Sequence, residues 1–337
     1  MDKFRLKEGN VEVVHGDFLK CYEQWDTPTA IISDGPYGIN GFPGDLNSPE
    51  ELEEWYEPFV EAWTKASTPQ TTLWFWNTEL GWASVHKMIV SKGWKFVNCH
   101  IWDKGVSHIA GNVNTKTIRQ FPVVTEACVQ YVKRPTFEVG NKKLTMQEWL
   151  RHEWKRTGLP FSKTNEACGV KNAATRKYFT NSHLWYYPPS EAFEKIVTYA
   201  NTFGAKNGLP YFSIDGNSPV TKEGWEKLRS KFYCKHGINN VWREGQLNGK
   251  ERLKNGTKAL HYNQKPLKFF KMIIEACTDK SDVIWEPFGG LCPTAIAALE
   301  LERISFSSEI RETVFLDAVK RIKAFHSQPR LSPLLVQ

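Results

Sequence analysis

Strand-length apolar runs alternate with helix-length amphipathic runs at both ends of this 337-residue chain, and the alternation stops in the middle. Val11–Val14, Ala30–Ile32, Thr72–Trp76, Phe96–Trp102 and Val123–Val132 read as strands. Between them, helices are expected from Ser48 to Ala66 and over Leu80–Val90. Ser48 followed by Glu51 has the spacing of a capping box, which would start the first helix. After Pro266 the rhythm returns as helix Lys268–Cys277, strand Asp282–Trp285, helix Thr294–Leu301, strand Arg303–Ser307 and a closing helix Glu312–Phe325. Strands spaced by helices of 10–15 residues build a parallel or mostly parallel sheet. The expected fold class is therefore α/β, with one sheet assembled from both ends of the chain around an inserted module.

Charge separates that module from its flanks. Lys133 through Lys258 holds 23 basic and 11 acidic residues, a net of +12 within a chain whose total is +7. The rest holds 21 basic and 26 acidic residues, a net of −5. A basic insert between acidic flanks suits a polyanion, nucleic acid first. The expected domains are thus 1–132 with 259–337, and 133–258 between them. No window approaches the ~18 apolar residues of a membrane span. The N-terminus lacks the apolar stretch of a secretory signal. The seven cysteines are scattered with no CxxC pair, and the nine histidines show neither HxxxH nor HExxH. Free thiols in a reducing cytoplasm are expected, and no metal site.

The most informative string is Ile31-Ile-Ser-Asp34-Gly35-Pro36-Tyr37-Gly38. An apolar strand ends there in an acid, a tight turn and an aromatic ring. In open α/β sheets ligands bind beyond the carboxyl ends of the strands. A carboxylate and a turn carbonyl at such a place can accept the two N–H bonds of an exocyclic amine while Tyr37 stacks on its ring. The plainer reading is a strand-ending turn with an Asx cap.

That string resembles the (Asp/Asn/Ser)-Pro-Pro-(Tyr/Phe/Trp) motif of the DNA amino-methyltransferases. The likeness continues along most of the chain. His15-Gly-Asp17-Phe18-Leu is similar to the short acidic motif that opens the β-group of that family. Thr72–Asn77, Ile101–Lys104 and Thr125–Tyr131, which includes Glu126, look like its successive strands. His261-Tyr-Asn-Gln264-Lys265-Pro266 resembles its His-x-x-Gln-Lys-Pro segment. Glu286-Pro287-Phe288-Gly289-Gly290 resembles its Asp-Pro-Phe-x-Gly-x-Gly loop, and Glu309 follows at the end of the next strand.

What the resemblance implies is specific. The fold is a Rossmann-like methyltransferase sheet, circularly permuted, with 133–258 as target-recognition domain. The cofactor is S-adenosylmethionine, without a metal. Asp34, Gly35, Pro36 and Tyr37 carry catalysis on a flipped base. Asp17 and Phe18 meet the cofactor's adenine, Glu309 its ribose, and His261, Gln264, Lys265 and Pro266 its methionine moiety. Glu286, Pro287, Phe288, Gly289 and Gly290 form the cofactor loop. Asp34 favours adenine N6 over cytosine N4, since cytosine enzymes of the family more often carry Ser there. The partner is double-stranded DNA, with a cognate restriction endonuclease by genetic association. The protein is a monomer or homodimer in a bacterial or archaeal cytoplasm. Cytosine N4, an RNA acceptor, and a non-catalytic DNA-binding protein stay open as alternatives.

Three departures from the family pattern stand out. Gly35 replaces the first Pro, Glu286 replaces the usual Asp, and Leu291-Cys292-Pro293 replaces Ser-Gly-Thr. Within the basic module, 159–179 reads as helix, Gly169 turn, helix. Lys171, Asn172, Thr175, Arg176 and Lys177 on the second helix are positioned to read a major groove. The alternative is a structural αα-hairpin with a solvated basic face. Lys250, Arg252 and Lys254 suit phosphate contacts. Trp25, Trp55, Trp63, Trp74, Trp76 and Trp82 are expected in the core or in helix–sheet packing, and the Trp185-Tyr186-Tyr187 knot is expected to pack, with base stacking as the alternative.

Overall fold

A computed structural model describes residues 2–6, 10–41, 43–105, 116–206, 208–247, 252–260 and 264–327. The chain forms two compact units, one from Met1–Lys133 with Ser230–Gln337 and the other from Arg134–Arg229.

The first unit is built on a nine-stranded sheet. Its N-terminal strands are β1 (Lys3–Arg5), β2 (Val11–His15), β3 (Ala30–Ser33), β4 (Thr72–Asn77), β5 (Trp94–Asp103) and β6 (Thr125–Lys133). In the second unit, β7 (Thr136–Val139) and β8 (Lys142–Thr145) form a hairpin. The large sheet then gains β9 (Val241–Arg243), a short hairpin joins β10 (Lys254–Asn255) to β11 (Lys258–Ala259), and β12 (Val283–Glu286) and β13 (Ile304–Glu309) complete the set. Strand order is β1-β2-β13-β12-β3-β4-β6-β5-β9. Five of the eight pairings are parallel, and β6 runs antiparallel to both neighbours.

Helices cover both faces because the central strands are apolar on both. In β3 and β4, Ile31, Leu73 and Phe75 point to one core, packed under α1 (Leu52–Ala66) and α2 (Glu79–Ser91). Ala30, Ile32, Trp74 and Trp76 alternate to the other. Trp25, Trp63, Trp74 and Trp76 are buried, as their sequence setting suggested.

Ser48 makes no side-chain cap. Pro49 opens a 3-10 turn over Pro49–Glu51, and the α-helix starts only at Leu52. Pro supplies no N–H and fixes its own φ, which suits that tight first turn.

The second unit has its own core. Helices α3 (Met146–Arg156), α4 (Lys163–Cys168), α5 (Ala173–Tyr178), α6 (Ser190–Phe203) and α7 (Lys222–Glu226) surround Trp149, Trp154, Phe179, Phe193, Phe212 and Trp225. Phe193 and Trp225 stack with ring centroids 3.8 Å apart. α7 ends at Glu226, whose carboxylate accepts two 2.9 Å bonds from Arg229.

This unit ends at Arg229, well before the end of the basic segment at Lys258. Residues beyond it are drawn to the sheet: Lys231 pairs with Asp279 and Asp282, Lys235 with Glu275, and β9 lies parallel to β5. The first unit closes with α8 (Leu267–Cys277), α9 (Pro293–Glu300) and α10 (Glu312–His326).

Candidate active site

β3 leads through α1 to β4 on one side, and β12 leads through α9 to β13 on the other. The connections diverge between β3 and β12, which are adjacent and parallel. A crevice opens at the carboxyl ends of strands where the order reverses in this way. The cavity here is lined by the loops that follow β2, β3, β12 and β13. Every residue expected at the catalytic and cofactor positions lines it except Pro266, buried at the start of α8, and His261, which lies outside the described residues.

The turn after β3 is anchored by neighbours. The Pro36 carbonyl accepts from Tyr56 Oη and from Asn77 Nδ2, each at 3.0 Å. Asp45 accepts from the backbone N–H groups of Tyr37 and Gly38 at 2.8 Å, Leu46 at 3.0 Å, and Ile39 and Gly41 at 3.1 Å. The loop beyond the turn is thus wrapped around one carboxylate. Gly35 is enforced by packing, for a Cβ there would lie 2.5 Å from Tyr56 Oη and 2.7 Å from Phe288 Cδ2. The missing Pro therefore reflects a closely seated Phe288.

A buried cluster of alternating charge lies beside this turn. Lys265 Nζ is 2.7 Å from Asp34 Oδ1, 2.6 Å from Tyr37 Oη and 3.2 Å from Glu126 Oε2. Its three donors meet three oxygens. Tyr37 Oη lies 3.0 Å from both Asp34 Oδ1 and Glu126 Oε2, so its single proton is offered to one carboxylate at a time. Lys104 Nζ is 2.6 Å from Glu126 Oε1. Burial pushes the Asp34 carboxyl up, and Lys265 only partly offsets this. Burial also acts on Glu126, but Lys265 and Lys104 outweigh it and hold its carboxyl below the ordinary range. For Lys265 the carboxylates overcome desolvation, so its ammonium is held charged. Burial first, then the two carboxylates, pushes the Tyr37 phenol well up.

The opposite wall is a backbone cradle. Glu286 Oε1 accepts from Thr294 N at 3.0 Å and Oε2 from Ser307 Oγ at 2.9 Å. Burial pushes its carboxyl up to about 7 against those hydrogen bonds. Glu309 accepts from Gly290 N at 2.8 Å and Arg311 N at 2.9 Å. A Cβ on Gly289 would lie 3.0 Å from both Ser308 O and Cys292 Sγ. Cys292 occupies the last Gly position of the motif and keeps a left-handed backbone, φ 49° and ψ 56°. Asp17 Oδ1 caps the next turn through Leu19 N, while Phe18 is buried against Tyr22, Trp25 and Trp285. Gln264 Oε1 accepts from Leu253 N at 3.0 Å.

The family model N6_N4_Mtase, described as DNA methylase, matches residues 29–320. The chain belongs to this N6/N4 DNA methylase family. No match is found among curated protein sequences. Among solved structures, the methylase is similar to PvuII DNA methyltransferase, described as cytosine-N4-specific. That similarity has 13% identity and a TM-score of 0.53, over 96% of this chain and 88% of that one. It is also similar to the M1.HpyAVI–SAM complex, with 16% identity and a TM-score of 0.48 over 92% of this chain and 99% of that one. The PvuII likeness is one of fold, a mixed α/β architecture around a large sheet.

Several residues of this methylase site escape a reading by motif. Asp45, Tyr56 and Asn77 belong to no quoted chemistry, and Trp55 lines the cavity beside Phe59 and Phe288 instead of lying in the core. Glu126 was visible only as part of a strand. An acid at the mouth of the apolar run Ala127–Val132 is the signal that marks it.

The second unit contains the expected helix, Gly turn and helix, with Gly169 at φ 67° closing α4. Lys171, Asn172, Arg176 and Lys177 are exposed, but α5 starts at Ala173, so Lys171 and Asn172 precede the helix they were expected to lie on. Thr175 faces inward: its hydroxyl donates to Phe161 O and meets Thr164 Oγ1, and its N–H donates to Asn165 Oδ1. Trp185 donates to Tyr178 O and Tyr187 packs on Trp225, whereas Tyr186 between them is exposed, so packing accounts for two of the three rings. Lys254 is exposed and Arg252 half-buried, while Lys250 lies outside the described residues. No helix among the described residues is long and apolar enough to cross a membrane. No group of His, Cys, Asp and Glu among them is arranged to hold a metal ion.

Proposed function

We propose that this methylase transfers the methyl group of S-adenosylmethionine to the exocyclic amine of a base flipped out of duplex DNA, with adenine N6 as acceptor. The observation that carries the reading is one cavity lined on one side by Asp34–Tyr37 and on the other by Glu286–Gly290. The preference for adenine rests on Asp34 at the first position of the turn.

The residues present fit the methyl donor. Trp55, Phe59 and Phe288 make an aromatic wall suited to a purine ring. Glu309 uses two acceptor sites on backbone N–H groups and has others for ribose hydroxyls. The Gly289 backbone sits where a side chain would fill the cradle. When bound, the donor supplies an electrophilic sulfonium methyl.

The chain's part is positioning. An amine on an aromatic ring is a weak nucleophile because its lone pair is delocalised into the ring. Asp34 Oδ2 and the Gly35 carbonyl would accept its two N–H bonds, turning the lone pair toward the methyl group. The N–C bond forms as the S–C bond breaks, a neutral thioether leaves, and the nitrogen sheds one proton along the hydrogen bond to Asp34 Oδ2. The Pro36 carbonyl is already taken by Tyr56 and Asn77. Such positioning contributes several kcal/mol to barrier reduction. A base within a duplex is out of reach, so flipping precedes transfer, and the face of Tyr37 receives the ring. In the second unit, Lys171, Asn172, Arg176 and Lys177 form the exposed basic face that meets DNA.

Transfer of tritium from labelled S-adenosylmethionine to mixed-sequence duplex DNA, followed by base analysis, tests this. N6-methyladenine is expected, and Asp34→Ala should abolish transfer while leaving cofactor binding intact. N4-methylcytosine alone would move the acceptor assignment to cytosine. Transfer only to structured RNA, or duplex binding without any transfer, would overturn the reading.

A further inference from the structure

We propose that Lys265, held in place by Glu126, is a positioning residue that orients the Asp34 carboxylate toward the target amine and acts through Asp34 instead of on the cofactor. The inference rests on the function proposed above and deepens it.

The geometry assigns each oxygen. Asp34 Oδ1 is occupied by Lys265 Nζ at 2.7 Å and by Tyr37 Oη at 3.0 Å. Among the described residues none hydrogen-bonds Oδ2, which is left for the substrate. The Lys265 side chain is only 1% exposed, and all its donors are used within the cluster. Buried ion pairs contribute little to stability once desolvation is included, and apolar replacements often serve a fold as well. Two carboxylates and two lysines around one turn therefore call for a chemical reason.

Glu126 tunes the pair. It shares the Lys265 ammonium with Asp34 and is itself held by Lys104, so Lys265 cannot swing wholly toward either acid. Lys265 favours the ionised form of Asp34, whereas Glu126 opposes it. The other titratable groups near Asp34 are Tyr37 on the same turn, Tyr56 on α1 and Cys128 on β6. Burial keeps all three protonated at neutral pH. Asp34 is thus raised first by its burial and then tuned in opposite senses by two neighbours.

Opposite signs make the test. The full-length protein is assayed for methyl transfer against pH in Lys265→Met and Glu126→Gln, and S-adenosylmethionine affinity is read by calorimetry. Lys265→Met should lower kcat by about 10-fold or more and move the acid limb up by about one pH unit or more. Glu126→Gln should move the same limb down. Cofactor Kd should stay within about threefold of wild type in both. A Kd weakened by about tenfold in Lys265→Met, with its acid limb unmoved, would place Lys265 on the cofactor and overturn the proposal. Limbs moving in the same direction would show a general structural disturbance and also overturn it. If Lys265→Met does not fold, Glu126→Gln decides alone, and an unmoved limb refutes the coupling. If wild type transfers no methyl, the proposed function fails. Carbon-13 titration of the Asp34 carboxyl then still reads the pair: an unmoved midpoint in the variants refutes the coupling, and a moved one shows it without a methyl-transfer role.

Discussion

Phe288 stands where a side chain on Gly35 would have to go, its Cδ2 2.7 Å from the ideal Cβ position. The turn after β3 and the loop after β12 are thereby seated directly on one another. Both line the same cavity.

Pro at position 35 would restrict the backbone, but the packing around the turn predicts a net loss. Gly35→Ala and Gly35→Pro should each lower stability by about 1–3 kcal/mol, the usual cost of overpacking. Methyl transfer should fall with them. Denaturant melts and transfer assays measure both, and a Gly35→Pro variant as stable as wild type would refute the packing argument.

Cys292 gives a second. Its left-handed backbone costs a non-Gly residue about 1–2 kcal/mol, while its buried side chain packs with Ala295, Ile296 and Leu299. Cys292→Gly loses the contacts but releases the strain; Cys292→Ala loses the sulfur and keeps the strain. The Ala variant should therefore unfold at lower denaturant than the Gly variant. The reverse order would remove strain from the account of this loop.

Glu286 predicts a pH dependence. Its carboxyl titrates at about 7 in the folded protein and near 4.5 in the unfolded chain. Between those values the native state holds a proton that the unfolded state has lost. Stability from this group therefore falls as pH rises through the window and levels off above it. The fall is at most about 1.4 kcal/mol per pH unit. Glu286→Gln keeps one acceptor, for Thr294 N, turns an NH2 donor toward the rotatable Ser307 hydroxyl, and removes the titration. Its stability relative to wild type should climb between pH 5 and about 7 in urea melts. Parallel curves would disprove the shift.

The second unit separates two kinds of threonine and arginine effect. Thr175→Val breaks inward hydrogen bonds and should cost stability, about 1 kcal/mol or more. Arg176→Ala should leave stability nearly unchanged, weaken duplex binding and flatten its salt dependence by about one unit of slope. Fluorescence anisotropy over a salt series checks this. An unchanged slope would take Arg176 off the phosphates.

Motif and periodicity carried most of the frame, since strands such as Val11–His15 and Thr72–Asn77 announce themselves by composition and by the turns that end them. Strand direction was less legible: nothing in Thr125–Lys133 says that it runs against both neighbours. β9 is three residues long within a basic segment, and only its pairing with β5 makes it a strand. At the site, residues directly following strands were found because their position in the chain fixes their position in the sheet. Glu126 and Asp45 were not, since their roles depend on partners brought close only by folding. Lys265 was legible as a site residue, but its contacts with Asp34 and Glu126 were not. Ser48 failed because Pro49 imposed its own geometry on the first turn.

The interleaving of strands has a consequence for synthesis on the ribosome. β2 and β3 emerge early but are not neighbours; β13 and β12 come between them. Until translation passes Glu309, that gap stays open and the cavity lacks half its wall. A nascent chain stopped earlier would expose two unmatched strand edges, a recognised hazard for aggregation. Residues Arg134–Arg229, being contiguous, face no such wait. The cavity is therefore complete only once β13 has been made, and a copy that lacks β12 and β13 carries half of its wall.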